Sequence, residues 1–207
     1  SCLPETNLLS SFIVARDVSG SMGSCVKGLN ISSDDVAKSI ALYFSYLLKG
    51  KFANSYIEFS SKTELKYWEG NSPSDKYLRN TGYAYGNTNF LSIAYLFIEI
   101  YRRTPIEKFP TGLIAISDGE FDGYGKDKCK TTFRLFKDRL LKAGFPKDYV
   151  DNFKIVLWDI PNAFYGNEEI RPKFESYADT PNFFYMGGFD PAGITFLLGG
   201  EVNKSIP

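Results

Sequence analysis

A short, mostly apolar run, Phe12-Ile13-Val14-Ala15-Arg16, leads straight into Asp17-Val18-Ser19-Gly20-Ser21-Met22-Gly23. The run has the length of a buried strand, and the acid, serines and glycines after it have the composition of a tight loop with its backbone exposed. A chain built this way delivers oxygen atoms to one edge of a sheet. Asp17, Ser19 and Ser21 occupy alternate positions, so a turning backbone can aim one carboxylate and two hydroxyls at a common point. All three are hard donors, suited to magnesium, manganese or calcium rather than zinc.

Further along, strand-like and helix-like segments alternate. Ser32-Ser33-Asp34-Asp35 reads as a helix start with acids complementing the helix dipole. Val36, Ile40, Phe44, Leu47 and Leu48 follow at helical spacing, and Gly50 is expected to end that helix. Ser55–Ser60 and Glu64–Trp68 read as strands with too few residues between them for a crossover helix, so they should pair antiparallel at a half-exposed edge. Residues 71–80 form a loop or short helix. Phe90, Ile93, Ala94, Phe97, Ile98 and Tyr101 make one helical stripe. Gly112–Ser117 is a strand, and Phe133, Phe136, Leu140 and Leu141 mark a further helix that Gly144 and Pro146 stop. Phe153–Trp158 and Phe183–Met186 read as two more strands, and Asp190-Pro191 opens a closing helix with Ile194, Leu197 and Leu198.

The fold class expected from this order is α/β. It is a Rossmann-like, doubly wound, mostly parallel six-stranded sheet with one antiparallel edge strand and helices on both faces. The division expected is a lead-in over 1–10, one domain over 11–200 and a tail over 201–207. The first core strand comes so early that the chain reads as a domain excised from a longer protein.

Composition narrows the function classes. At 207 residues, 43% hydrophobic and 16% aromatic, the chain can bury a full core and is not disordered. Its 24 basic and 24 acidic side chains leave no net field for nucleic acid, so any such role needs a local patch. The absence of histidine removes histidine-based triads, histidine-ligated zinc and the usual general base near neutral pH. Cys2, Cys25 and Cys129 are odd in number and have no Cys-x-x-Cys spacing, which favours a reducing, cytoplasmic setting over a disulfide framework. No apolar run approaches the length of a membrane span, so no membrane partner is expected.

Two later segments meet the first loop. Gly86-Asn87-Thr88-Asn89-Phe90 precedes a helical stripe, and Ile114-Ala115-Ile116-Ser117-Asp118-Gly119 closes a strand. Asp17 and Asp118 both lie just past the carboxyl ends of strands, the edge where open parallel sheets gather ligands. Taken together, Asp-x-Ser-x-Ser, the threonine and the aspartate resemble the metal-ion-dependent adhesion site of von Willebrand factor A (vWA) domains. The resemblance implies that Asp17, Ser19, Ser21, Thr88 and Asp118 hold a divalent cation, magnesium by preference, with manganese or calcium as alternatives. It also implies an interaction module without catalysis of its own. Because neutral hydroxyls leave the cation under-neutralised, an acidic group of a protein partner would complete its coordination. Glu120 and Asp122 stand where they would tune the site from just outside, or form a solvated acidic rim.

Leu157-Trp158-Asp159-Ile160 and Gly187-Gly188-Phe189-Asp190-Pro191 extend the resemblance to the C-terminal vWA module of TROVE/Ro-like proteins and their relatives. This implies a second reading, a module of a ribonucleoprotein that meets RNA in the context of a longer protein. A third reading is a metal-dependent phosphohydrolase with Asp17 as nucleophile. Against it, Ser19 stands where an Asp-x-Asp pair would need its second acid, and phosphate-binding glycine motifs are missing.

Overall fold

The computed structural model describes residues 12–26, 28–80, 86–118, 128–160 and 181–188, with the side chains of 128–131 excepted. Within them, β1 (Phe12–Asp17), β2 (Ser55–Phe59), β3 (Thr63–Tyr67), β4 (Gly112–Ser117), β5 (Lys154–Asp159) and β6 (Phe183–Gly187) form one sheet in the order β3-β2-β1-β4-β5-β6. All neighbours pair in parallel except β2 and β3, which are antiparallel, as the short connection between them requires. The helices are α1 (Ser33–Ser45), α2 (Pro73–Arg79), α3 (Leu91–Tyr101), α4 (Lys128–Lys142) and α5 (Lys147–Asn152). The expected closing helix, with Asp190, Ile194, Leu197 and Leu198, lies outside the described residues, as do Glu120 and Asp122.

Strand alternation divides the core into two layers. Ile13, Ala15, Ile57, Phe59, Leu113, Ala115, Ile155 and Leu157 face α3, α4 and α5; Phe12, Val14, Tyr56, Ile114, Ile116, Val156 and Trp158 face α1. Both faces of the central strands are thus dry, which is why β1, β4 and β5 read as nearly continuous apolar runs. The α3/α4 layer is held largely by phenylalanines at edge-to-face geometry. Phe90 meets Phe133 at 4.7 Å between ring centroids, and Phe97 meets Phe109, Phe136 and Phe153 at about 6 Å.

Three local expectations are corrected. The first helix ends at Ser45 rather than running to Gly50, because Tyr46 begins a turn. Leu48 is nevertheless buried from that turn, and Gly50 opens a 3-10 turn at a left-handed φ of 74°. Leu141 is 38% exposed, whereas Phe133, Phe136 and Leu140 are fully buried. The strand ending in Trp158 continues one residue further, to Asp159. The helix start at Ser32 matches the reading, with the Asp35 amide donating to Ser32 Oγ at 3.0 Å.

Arg16, wholly buried on the α1 face, is the one cation inside the central strand. Its Nη2 donates to Glu58 Oε1 at 2.7 Å, and Asp34 Oδ1 lies 3.8 Å from its Nε. Glu58 is held in turn by Lys66 and by the Tyr56 hydroxyl. Removing one member of such a buried pair leaves the other charge uncompensated, which costs roughly 3–5 kcal/mol. We therefore expect Glu58→Ala to lower the denaturant midpoint far more than Arg16→Met, which removes the charge while keeping its apolar stem. Chemical unfolding of the two variants checks this.

Candidate functional site

The sheet order places the site. From β1 the chain moves to one side for β2 and β3, then returns to the other side of β1 for β4, so the crevice past the carboxyl ends of β1 and β4 is the topological switch point. Asp17 is the last residue of β1 and Asp118 the first after β4. The 3-10 turn Gly20–Gly23 carries the serines over this crevice.

Backbone bonds draw the loops together. Val18 donates to the Phe59 carbonyl at 3.0 Å, Gly20 to the Gly86 carbonyl at 3.3 Å, and Asn89 to the Ser60 carbonyl at 3.3 Å. The Asn87 amide donates to Ser61 Oγ at 3.1 Å. Gly86 adopts a φ of 80°, and a Cβ there would overlap the Ser61 hydroxyl, so the approach needs glycine on both counts. The serine loop, the β2–β3 turn and the threonine loop are thereby fixed to one another.

Asp17 is completely buried. Its Oδ1 accepts the Ser19 amide at 2.8 Å and its Oδ2 accepts the Ser117 hydroxyl at 2.6 Å. Ser19 is buried, and its Oγ lies 3.2 Å from that of the half-buried Ser21. Thr88 is buried ahead of α3, whose N-cap position is Phe90, and its hydroxyl makes no hydrogen bond with the described residues. Thr88 is therefore not spent as a helix cap. Asp118 is partly exposed and acts electrostatically on Asp17. The structure thus gathers Asp17, Ser19 and Ser21 in one turn and sets Thr88 and Asp118 on the adjoining loops of the same edge.

Burial pushes the Asp17 carboxyl up to about 7, and the negative charge of Asp118 adds to the rise; the Ser117 and Ser19 hydrogen bonds pull the other way. Desolvation of the ionised form wins because only dipoles answer it. Among the described residues no group of three or more histidine, cysteine, aspartate or glutamate side chains forms a metal-binding cluster. A cation here would rest on hydroxyl oxygens beside the carboxylates, a donor set fit for a hard ion.

Two participants escaped the sequence reading. Ser117 holds Asp17 across the β1–β4 pair, and Asp159 lies beside Ser117 in the β4–β5 register, buried and accepting the Tyr185 hydroxyl. The available signal was a polar residue closing each of two apolar strands.

No protein-family model and no curated protein matches the chain. Solved structures do. An aerotolerance-related membrane protein from Bacteroides fragilis superposes with a TM-score of 0.53 at 16% identity, covering 94% of this chain and 98% of that one. BatB from Bacteroides thetaiotaomicron gives 0.52 at 14% identity, over 89% and 93% of the two chains. The VWA domain of SpRpn10 gives 0.52 at 8% identity, over 95% and 97%. At these identities the likeness is one of fold, and the fold is of vWA type. Among the described residues no helix is long and apolar enough to cross a membrane.

The Asp17 carboxyl sets a test. With its pKa raised from 3.8 to about 7 in the folded chain, its contribution to stability is fully present below about pH 3.8 and is lost as pH rises through 7. Asp17→Asn keeps a carbonyl for the Ser19 amide and an amide for the Ser117 oxygen without the ionisation. In chelator, we expect the variant to overtake the wild type as pH rises from 4 to 8, by up to a few kcal/mol, on the order of 1.4 per pH unit. Thermal melts across that range measure it.

Proposed function

We propose that the chain is a divalent-metal-dependent protein-interaction module. The observation that carries this is Asp17, a fully buried carboxylate held by neutral dipoles, with Ser19 and Ser21 beside it and Thr88 and Asp118 on the adjoining loops. Burying an acid this way is costly unless an opposite charge meets it. A bound cation supplies that charge and offers an open coordination position to an anionic oxygen.

In this reading Asp17 and Asp118 provide negative charge, Ser19, Ser21 and Thr88 provide neutral oxygens, and Ser117 keeps Asp17 turned toward the crevice. The bias toward neutral donors leaves positive charge to be satisfied from outside, which suits an acidic side chain of a partner. Glu120 and Asp122, in the same connection as Asp118, would set how strongly an acidic partner is repelled or admitted. The vWA-type fold shared with the SpRpn10 domain agrees with an interaction role. A metal-dependent phosphohydrolase is the less favoured reading, since Ser19 stands where an Asp-x-Asp pair would need its second acid.

Calorimetric titration of magnesium, manganese and calcium into metal-free protein tests the proposal. One saturable site is expected, weakened at least about tenfold in Asp17→Ala and in Thr88→Ala. At pH 8 the same cation should raise the melting temperature of the wild type and leave that of Asp17→Asn unmoved. Binding that survives both substitutions would place the cation elsewhere.

A further inference from the structure

The opposite edge of the sheet carries a second feature, independent of the oxygen-rich crevice. Because β1, β2 and β4 are parallel, the connections entering β2 and β4 share the amino-terminal edge. Those two connections, residues 46–54 and 102–111, contain Lys49, Lys51, Arg102, Arg103 and Lys108 against a single acid, Glu107. In a chain whose 24 cations balance its 24 anions, this is a local excess of four positive charges, five less one.

The two connections are joined. The Lys51 ammonium donates to the Thr104 hydroxyl, and Phe52 packs edge to face on Phe109 at 5.8 Å between ring centroids. Each connection contributes a 3-10 turn, Gly50–Phe52 and Ile106–Lys108. Between them opens a cleft of about 600 Å³, within the size range of sites that hold a small ligand or a few residues of peptide. Its floor is apolar, from Leu48, Phe52, Phe109 and Pro110, all buried. Its rim is charged, from Lys49, Lys51 and Lys108 with one acid, Glu107, among them, all exposed, so that positive charge exceeds negative by three to one.

We infer that this cleft is a docking site for a short acidic peptide segment of a partner protein, one apolar side chain entering the floor and flanking carboxylates meeting the three lysines. The floor favours peptide over nucleic acid, because its two aromatic rings, Phe52 and Phe109, are buried and packed edge to face, leaving no open ring face for a base to stack on. The lysines gather at the rim of one open cleft instead of tracking an extended backbone path. Placed opposite the proposed metal edge, the site would let one domain hold two partners at once.

The test uses the full chain in chelator and fluorescence polarisation, with a labelled peptide of glutamates around a central leucine as probe. Saturable binding is expected, weakened about tenfold by Lys49→Glu combined with Lys108→Glu, and at least fivefold when the leucine of the probe is replaced by serine. Both substituted lysines are exposed, and circular dichroism of the variant confirms the fold. Binding should persist unchanged when magnesium replaces chelator, which separates this site from the metal edge. Failure to bind into the millimolar range, binding indifferent to the lysines, or a labelled oligonucleotide bound more tightly than the peptide and lost in the same variant would overturn the inference.

Discussion

Two adjacent and opposite charges, both fully buried, terminate the central strand. Strand alternation sends Arg16 to the α1 face and Asp17 to the other, so neither can neutralise its neighbour and each must be answered separately. Arg16 is answered inside the domain by Glu58, with Asp34 close by and Lys66 and Tyr56 closing the network around Glu58. Asp17 receives only neutral donors, the Ser19 amide and hydroxyl and the Ser117 hydroxyl, and the charge that acts on it, Asp118, has the same sign. Among the described residues, one charge is met by an opposite charge and the other is not. That asymmetry is the physical root of the functional proposal.

Such a site works only if its parts are held still, and the two-layered core does this. The sheet is covered on both faces, with a phenylalanine network under α3 and α4 that leaves little room for the strands to slide. On that base, four short hydrogen-bonded contacts tie the serine loop, the β2–β3 turn and the threonine loop to each other. Gly86 is where this assembly is tightest, since a side chain at that position would collide with Ser61. If the proposed site holds, its serine and threonine oxygens would stand at fixed separations before a ligand arrives, which would lower the ordering cost of binding.

The sheet was legible because buried parallel strands leave continuous apolar runs, and Gly112–Ser117 was bounded correctly to the residue. The antiparallel edge followed from loop length alone. Other boundaries slipped for identifiable reasons. A charged residue ending a strand looks like the start of a loop, so β1 and β5 each lost an aspartate in the reading. Leu47 and Leu48 kept helical spacing past the real end of α1, since a turn can bury a leucine as well as a helix can. Asp17, Ser19, Ser21, Thr88 and Asp118 could be proposed from motif and order. Ser117 and Asp159 could not, because their roles come from strand register: Ser117 reaches Asp17 across 100 positions of sequence. Arg16 read as an ordinary strand residue; only the three-dimensional neighbours from β2 and α1 show it as a buried cation.

Parallel strands impose one more consequence, visible in where the charges lie. In the five parallel strands the carboxyl ends face one edge and the amino ends the other, with β3 alone running opposite, so the connections between parallel strands start at one edge and end at the other. Here one edge brings Asp17, Asp118 and their hydroxyl companions together, while the other brings together Lys49, Lys51 and Lys108. The net charge of zero conceals this separation, since it averages two edges of opposite character. A proton and the proposed cation compete for the same Asp17 carboxylate, so the acidic edge has to respond to pH and metal. The cleft at the lysine edge has three lysines and one exposed carboxylate, Glu107, and offers no comparable set of hard donors for a cation. If both proposals hold, one sheet would carry two surfaces governed by different variables, which is what a domain needs to join partners under separate control.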